Sequence, residues 1–215
     1  APNECCGVFL KDNIYHKFIN NSTSPQDSFA IRYYQLKNIK KEDIIGYFHS
    51  HSEGGFSSAD IQISEKRMLP SVIYKIKEDD FEVYNPVGME IPFVGRVYVI
   101  GIFDCIILVK DYFRTKFNVE INDFENNELR YTIPDNLQNI YTEDEIKRLT
   151  GKSDYVNNTY FIDYYKANGF VEIDKDKIQP HDIILIRYGK LKSAAHVMIY
   201  IGNGQVLRHF HEMSD

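Results

Sequence analysis

Ile44-Ile45-Gly46-Tyr47-Phe48-His49-Ser50-His51 decides how the first half of this 215-residue chain folds. Residues 44–48 are apolar, rich in β-formers and too few for a helix, so they predict a buried strand. Side chains alternate along a strand with period two, so His49 and His51 at its end face the same side. Ser52-Glu53-Gly54-Gly55-Phe56 has the composition of a loop, and a helix is expected over 59–68. Such a turn can return Asp60 as a third ligand. Two imidazoles and one carboxylate, with a fourth position left for water, form the ligand set of a catalytic zinc site. A His-x-His pair alone is an ordinary surface pattern. The constellation gains its weight from Ser57, Asp60 and a distant carboxylate taken together.

That carboxylate is Glu4 in Pro2-Asn3-Glu4-Cys5-Cys6-Gly7, just ahead of the apolar strand segment Val8-Phe9-Leu10. Glu, then His-x-His, then Ser-x-x-Asp resembles the JAMM (MPN-plus) metalloprotease family. The resemblance implies that His49, His51 and Asp60 bind zinc (Zn2+), that Glu4 is the general base, and that Ser57 helps hold the oxyanion. Zinc lowers the pKa of a water it binds towards ~7, and a nearby carboxylate handles the proton. The spacer from His51 to Ser57 is shorter here than in that family.

The second half carries a different signal. Gly95-Arg96-Val97-Tyr98-Val99-Ile100-Gly101-Ile102-Phe103-Asp104-Cys105 ends at a cysteine. Beyond it Ile106, Val109, Tyr112, Phe113 and Phe117 recur at helical spacing. A cysteine at a helix N-terminus meets positive backbone partial charge, which favours the thiolate. A base is available in His196-Val197-Met198-Ile199-Tyr200-Ile201, a β-prone run followed by Gly202-Asn203-Gly204 and a second strand, Gln205-Val206-Leu207. A Cys on a helix facing a His on an antiparallel sheet is the papain-like layout for acyl transfer through a thioester.

These segments resemble the NlpC-type cell-wall peptidases. Tyr98 to Gly101 matches a Tyr-x-x-Gly segment, Asp104-Cys105 the helix start, and His196 to Gly204 the catalytic strand. Gln179-Pro180-His181-Asp182 stands where the family has Pro-Gly-Asp. The resemblance implies that Cys105 is the nucleophile, His196 the base and Tyr98 a substrate-lining residue. Ile106-Ile107 replaces the Ser-Gly common after the cysteine in bacterial members. The base-orienting residue of the family falls at Arg208. An arginine has no lone pair to offer, so His209 is taken for that role, with His211 the further option. His16 and His181 are given no chemistry and read as a structural and a surface residue.

Two signals needing different scaffolds predict two α+β domains, 1–86 and 87–215, parted near Tyr84-Asn85-Pro86-Val87-Gly88. The first would be a JAMM (cytidine-deaminase-like) β-sheet with flanking helices, the second a papain-like NlpC-type domain. The second is expected to add helices at 143–149 and 158–167, then three or four antiparallel strands. With 43% hydrophobic residues both halves can bury a core, and with no Trp the packing falls to 16 Tyr and 14 Phe. A net charge of −6 argues against nucleic acid as a partner. No apolar run approaches the length of a transmembrane helix. Three cysteines, two of them adjacent, are no disulfide framework and read as a reducing site of synthesis. Cys5 and Cys6 read as packing residues, and the chain reads as trimmed at one or both ends.

JAMM followed directly by an NlpC-type domain is similar to the arrangement in tail tip (tail assembly) proteins of lambda-like phages. That resemblance implies a virion component made in the host cytoplasm, with peptidoglycan stem peptides and other tail tip proteins as partners. The alternatives are a structural tail-tip part with vestigial sites and a free bacterial wall hydrolase.

Overall fold

A computed structural model of the chain describes residues 3–11, 14–22, 24–31, 33–36, 38–99, 102–122, 160–187, 194 and 196–209. The expected helix at 143–149 and His211 lie outside them. The chain divides into two compact units, 1–97 and 98–215.

The first unit is built on one five-stranded sheet of order β2-β1-β3-β4-β5. Its strands are β1 (Cys6–Leu10), β2 (Ile14–Phe18), β3 (Ile44–His51), β4 (Ser71–Lys75) and β5 (Asp80–Tyr84). Strands β3 and β4 are parallel, and helix α2 (Ser58–Arg67) makes the crossover between them; the other pairs are antiparallel. A short helix α1 (Tyr33–Leu36) precedes β3. Strand β3 extends past the apolar run through both histidines, because β1 and β4 flank it: His49 pairs Cys6 on one side and Ile73 on the other. Cys6, Val8 and Phe18 form a buried cluster, packed by Phe29, Ile31, Leu36, Ile39 and Tyr47. Cys6 is therefore a packing residue, as its neighbours in the sequence suggest.

The second unit holds α3 (Cys105–Phe117), α4 (Tyr160–Ala167) and a three-stranded antiparallel sheet of β6 (Ile183–Ile186), β7 (His196–Gly202) and β8 (Gln205–Leu207). Asp104 caps α3: its side chain accepts from the Ile107 amide at 2.9 Å. The apolar stripe of α3 buries Leu108, Val109 and Tyr112, while Val197 and Ile199 of β7 are also buried. Phe113 meets Phe170 edge-on beyond the end of α4, and Asn168 exchanges hydrogen bonds with the backbone of Asn122. Among the described residues no helix is long and apolar enough to cross a membrane.

The division after Val97 corrects the expected boundary at residue 86. The segment 87–97 has no regular structure, yet side chains of α2 hold it to the first unit. The buried Glu65 carboxylate accepts from the amides of Val87, Gly88 and Met89 at 2.8–2.9 Å and from the Tyr84 hydroxyl at 2.5 Å. Gln62 accepts from the Val97 amide and donates to the Gly95 carbonyl. A Pro/Gly-rich composition marks irregular backbone, and here that backbone is tethered rather than a linker.

The Tyr84 hydrogen bond, followed by the Val87 amide, holds the Glu65 carboxyl below its usual range. A depressed carboxylate pKa stabilises the fold above the unfolded value, and that contribution is lost as pH falls through the lowered value. Glu65→Gln should speed hydrogen exchange at the Val87, Gly88 and Met89 amides and lower the melting temperature of the protein at neutral pH. Unchanged exchange at those three amides would contradict the tether.

Candidate functional site

In the first unit, period-two alternation sends His49 and His51 to one face of β3 while Ser50 points to the other. Their Nε2 atoms lie 3.0 Å apart. Asp60, in the first turn of α2, brings Oδ1 to 3.1 Å from His49 Nε2 and Oδ2 to 3.7 Å from His51 Nε2. Among the described residues these three make one cluster able to hold a metal ion. Ligand atoms on a tetrahedral zinc with bonds of about 2.0–2.1 Å stand about 3.3 Å apart, so the separations fit that ion. His51 Nδ1 sits 3.0 Å from the Gly55 carbonyl; donation to it would leave Nε2 its lone pair for a metal. Phe29 packs on the His49 ring at 4.9 Å.

Ser57 and Asp60 form a capping box. The Ser57 amide and hydroxyl both donate to Asp60 Oδ2, at 2.8 and 2.6 Å, and the Asp60 amide donates to Ser57 Oγ at 3.2 Å. Ser57 thus orients the Asp60 carboxylate. Burial works to raise the Asp60 pKa, but the hydrogen bond and charge of His49 and the bonds from Ser57 outweigh it and hold the carboxyl below its usual range.

Glu4 is buried ahead of β1, with Oε1 4.0 Å from His51 Nε2. Its carboxyl is pushed above the usual range, chiefly by burial, with the His51 charge opposing. Its backbone is fixed from two sides. The Glu4 amide donates to the Pro25 carbonyl at 2.6 Å, and Asn20 Nδ2 donates to the Glu4 carbonyl at 3.0 Å. The next residue, Cys5, exchanges bonds with Ser50: Cys5 amide to Ser50 Oγ at 2.9 Å, Ser50 amide to Cys5 carbonyl at 3.0 Å. Asn20 and Gly55 carry no local sequence signal for these roles. Ser50 could have been found, because the residue between two same-face histidines must point to the opposite side.

In the second unit Cys105 opens α3 and is buried, and the Val197 amide hydrogen-bonds its thiol. His196, also buried, is the residue before Val197, so the thiol lies against the start of the strand that carries the imidazole. Burial, then the adjacent Asp104 carboxylate, push the thiol up to about 12, against the favourable amides of Val197, Cys105 and Ile106. The helix-start amides of Cys105 and Ile106 favour the thiolate as expected, and desolvation exceeds their pull. Burial, with the charges of Arg208 and His209, lowers His196 to about 4. The buried His209 meets the Tyr98 ring edge-on at 5.6 Å and lies close enough to act on the charge of His196. Arg208 is exposed, and its charge reaches the same imidazole.

His181 is exposed, as expected of a surface residue, and it also meets α3. It takes φ 83°, and its Nδ1 lies 2.7 Å from the hydroxyl of Tyr112 on α3.

Comparison with known proteins adds two findings. Residues 95–214 match a family model described as the NlpC/P60 family. Tail tip assembly protein K of Escherichia phage N15 is 28% identical over 131 residues, which cover 57% of this chain and 53% of that protein. The chain thus spans about half the length of that curated relative. Helix, thiol and antiparallel sheet of the second unit lie inside the matched residues, and the chain belongs to the NlpC/P60 family.

Proposed function

We propose that the chain is a phage tail tip protein whose second unit is a cysteine peptidase cutting peptidoglycan stem peptides, at the bond after the D-glutamyl residue. Its first unit is proposed to be a JAMM-type zinc peptidase acting on peptide or isopeptide bonds. The observation that carries the reading is the junction of Cys105, at the capped start of α3, with His196 at the start of β7. Family membership and the likeness to a phage tail tip assembly protein support it. The location in the virion tail, and other tail proteins as partners, rest on that likeness.

Burial favours a neutral resting pair, with the proton on sulfur and the imidazole unprotonated. As the Cys105 sulfur attacks the scissile carbonyl carbon, its proton passes to His196, which delivers it to the departing amine. The acyl group is left as a thioester on Cys105. Water, deprotonated by His196, then attacks the thioester, releasing the carboxylate product and restoring the thiol. His209 would steady the imidazole, and Tyr98 would line the acyl site beside it.

In the first unit His49 Nε2, His51 Nε2 and an Asp60 oxygen would hold zinc. Bound there, the ion supplies Lewis acidity and an acidified water. Glu4 would take the water proton and pass it to the leaving amine, a task suited to a carboxyl whose pKa burial has raised. Ser57 keeps Asp60 aimed at the two imidazoles.

Three outcomes test the reading. Wild-type protein should release stem-peptide fragments from purified peptidoglycan, and Cys105→Ala should lose at least about 1000-fold in rate. Equal release by both, or none by either, would sink the hydrolase and leave a structural tail part. Alkylation of Cys105 by iodoacetamide should rise about tenfold per pH unit from pH ~7 to ~9, since a thiol near 12 ionises only slightly there. A rate already level at pH ~6 would mean a resting ion pair instead. Elemental analysis should find near-unit zinc in the wild type and Cys105→Ala, and little in His49→Ala; equal zinc in all three would remove the metal site.

A further inference from the structure

We infer that His181 is a positioning residue for the thiol and imidazole of the second unit, a brace that fixes α3 on β7 at a second point. The inference rests on the cysteine peptidase reading of that unit.

His181 lies in the turn before β6, where the NlpC-type pattern has glycine. Its φ of 83° falls in the left-handed region, which a residue bearing a Cβ rarely adopts. Glycine would make this turn without strain. The turn alone therefore gives no reason for an imidazole. The contacts of the side chain do. His181 Nδ1 and the Tyr112 hydroxyl share a hydrogen bond at 2.7 Å, and the Phe117 ring meets the imidazole edge-on at 5.0 Å. Both aromatic residues belong to α3. From its backbone, His181 donates its amide to the Tyr200 carbonyl at 2.6 Å, and the Tyr200 amide donates to the Asp182 carbonyl at 2.8 Å. Tyr200 belongs to β7. One residue thus joins the helix that carries Cys105 to the strand that carries His196.

The lever arms give the brace its effect. Tyr112 lies two turns beyond Cys105, about 10 Å along the helix. Tyr200 lies about 13 Å along β7 from His196. At the near end α3 meets β7 where the Val197 amide bonds the thiol. Between the ends α3 packs on β7 through its buried apolar stripe, and apolar packing, being non-directional, fixes the tilt of the helix less sharply than a hydrogen bond does. A tilt of about 5° over 10 Å shifts one end by about 1 Å, and a misplacement of that size costs on the order of 100-fold in rate. A directional tie at the far ends narrows that tilt further.

The test compares wild type with His181→Gly, Tyr112→Phe, the double variant and His181→Asn. Asparagine tolerates the left-handed turn and places an acceptor, Oδ1, where His181 has Nδ1. Release of fragments from a soluble muropeptide should show kcat falling about tenfold or more in His181→Gly and Tyr112→Phe, with KM within about twofold. The double variant should be no slower than either single one. His181→Gly should melt no lower than wild type, since it relieves the turn, and His181→Asn should recover kcat to within about threefold. Wild-type kcat in His181→Gly, or His181→Asn as slow as glycine, would overturn the brace. If wild type releases nothing, the peptidase reading fails separately. The iodoacetamide rate at Cys105, which needs no substrate, then decides the brace: altered by glycine and restored by asparagine supports it, and one rate throughout refutes it.

Discussion

In each unit the candidate site lies where the capped N-terminus of a helix meets the end of a buried strand. A helix start has amides without intrahelical partners, so it must be capped, and its cap must sit close to whatever the helix packs against. In the first unit the capping box of α2 and the histidines at the end of β3 share one carboxylate, Asp60. In the second, the Asp104 cap of α3 sets Cys105 in the first turn, against the start of β7. In both arrangements a residue the helix needs for its own stability also orients the candidate site residue beside it.

The same device has opposite electrostatic results. Asp60 points into a cluster of imidazoles, and His49 with Ser57 holds it ionised despite burial. Cys105 is sealed between the helix and the sheet beside the charge of its own cap, so its ionised form is penalised twice. The partial charges at a helix start are worth less than the desolvation of a buried sulfur. Burial thus favours a neutral pair, and in the proposed reaction the proton would move as the sulfur–carbon bond forms. The extended Glu4 segment shows a third arrangement, with a raised carboxyl held by backbone bonds to Pro25, Asn20 and a neighbouring pair with Ser50.

What could be read from sequence was what short-range periodicity carries. The alternation of β3, the helical stripe after Cys105 and the β-prone run from His196 all correspond to elements of the structure. Ser57-x-x-Asp60 is a local pattern with two meanings, and only coordinates show that the serine acts on the aspartate as a cap. Long-range ties left no such trace. Glu65 reaches the backbone of 87–89, which keeps a Pro/Gly stretch inside the first unit and moves the boundary to Val97. His181 is the surface histidine its sequence suggests, but nothing local shows that its ring lies against Tyr112 and Phe117. Contacts between distant residues depend on the fold, and no window of sequence contains both partners.

A thioester on Cys105 is what separates this account from direct attack by water, and hydroxylamine intercepts thioesters. Hydrolysis of a stem peptide in increasing hydroxylamine should therefore yield a growing share of the D-glutamyl hydroxamate in place of the free acid. Only free acid at every hydroxylamine concentration would contradict acyl transfer through Cys105.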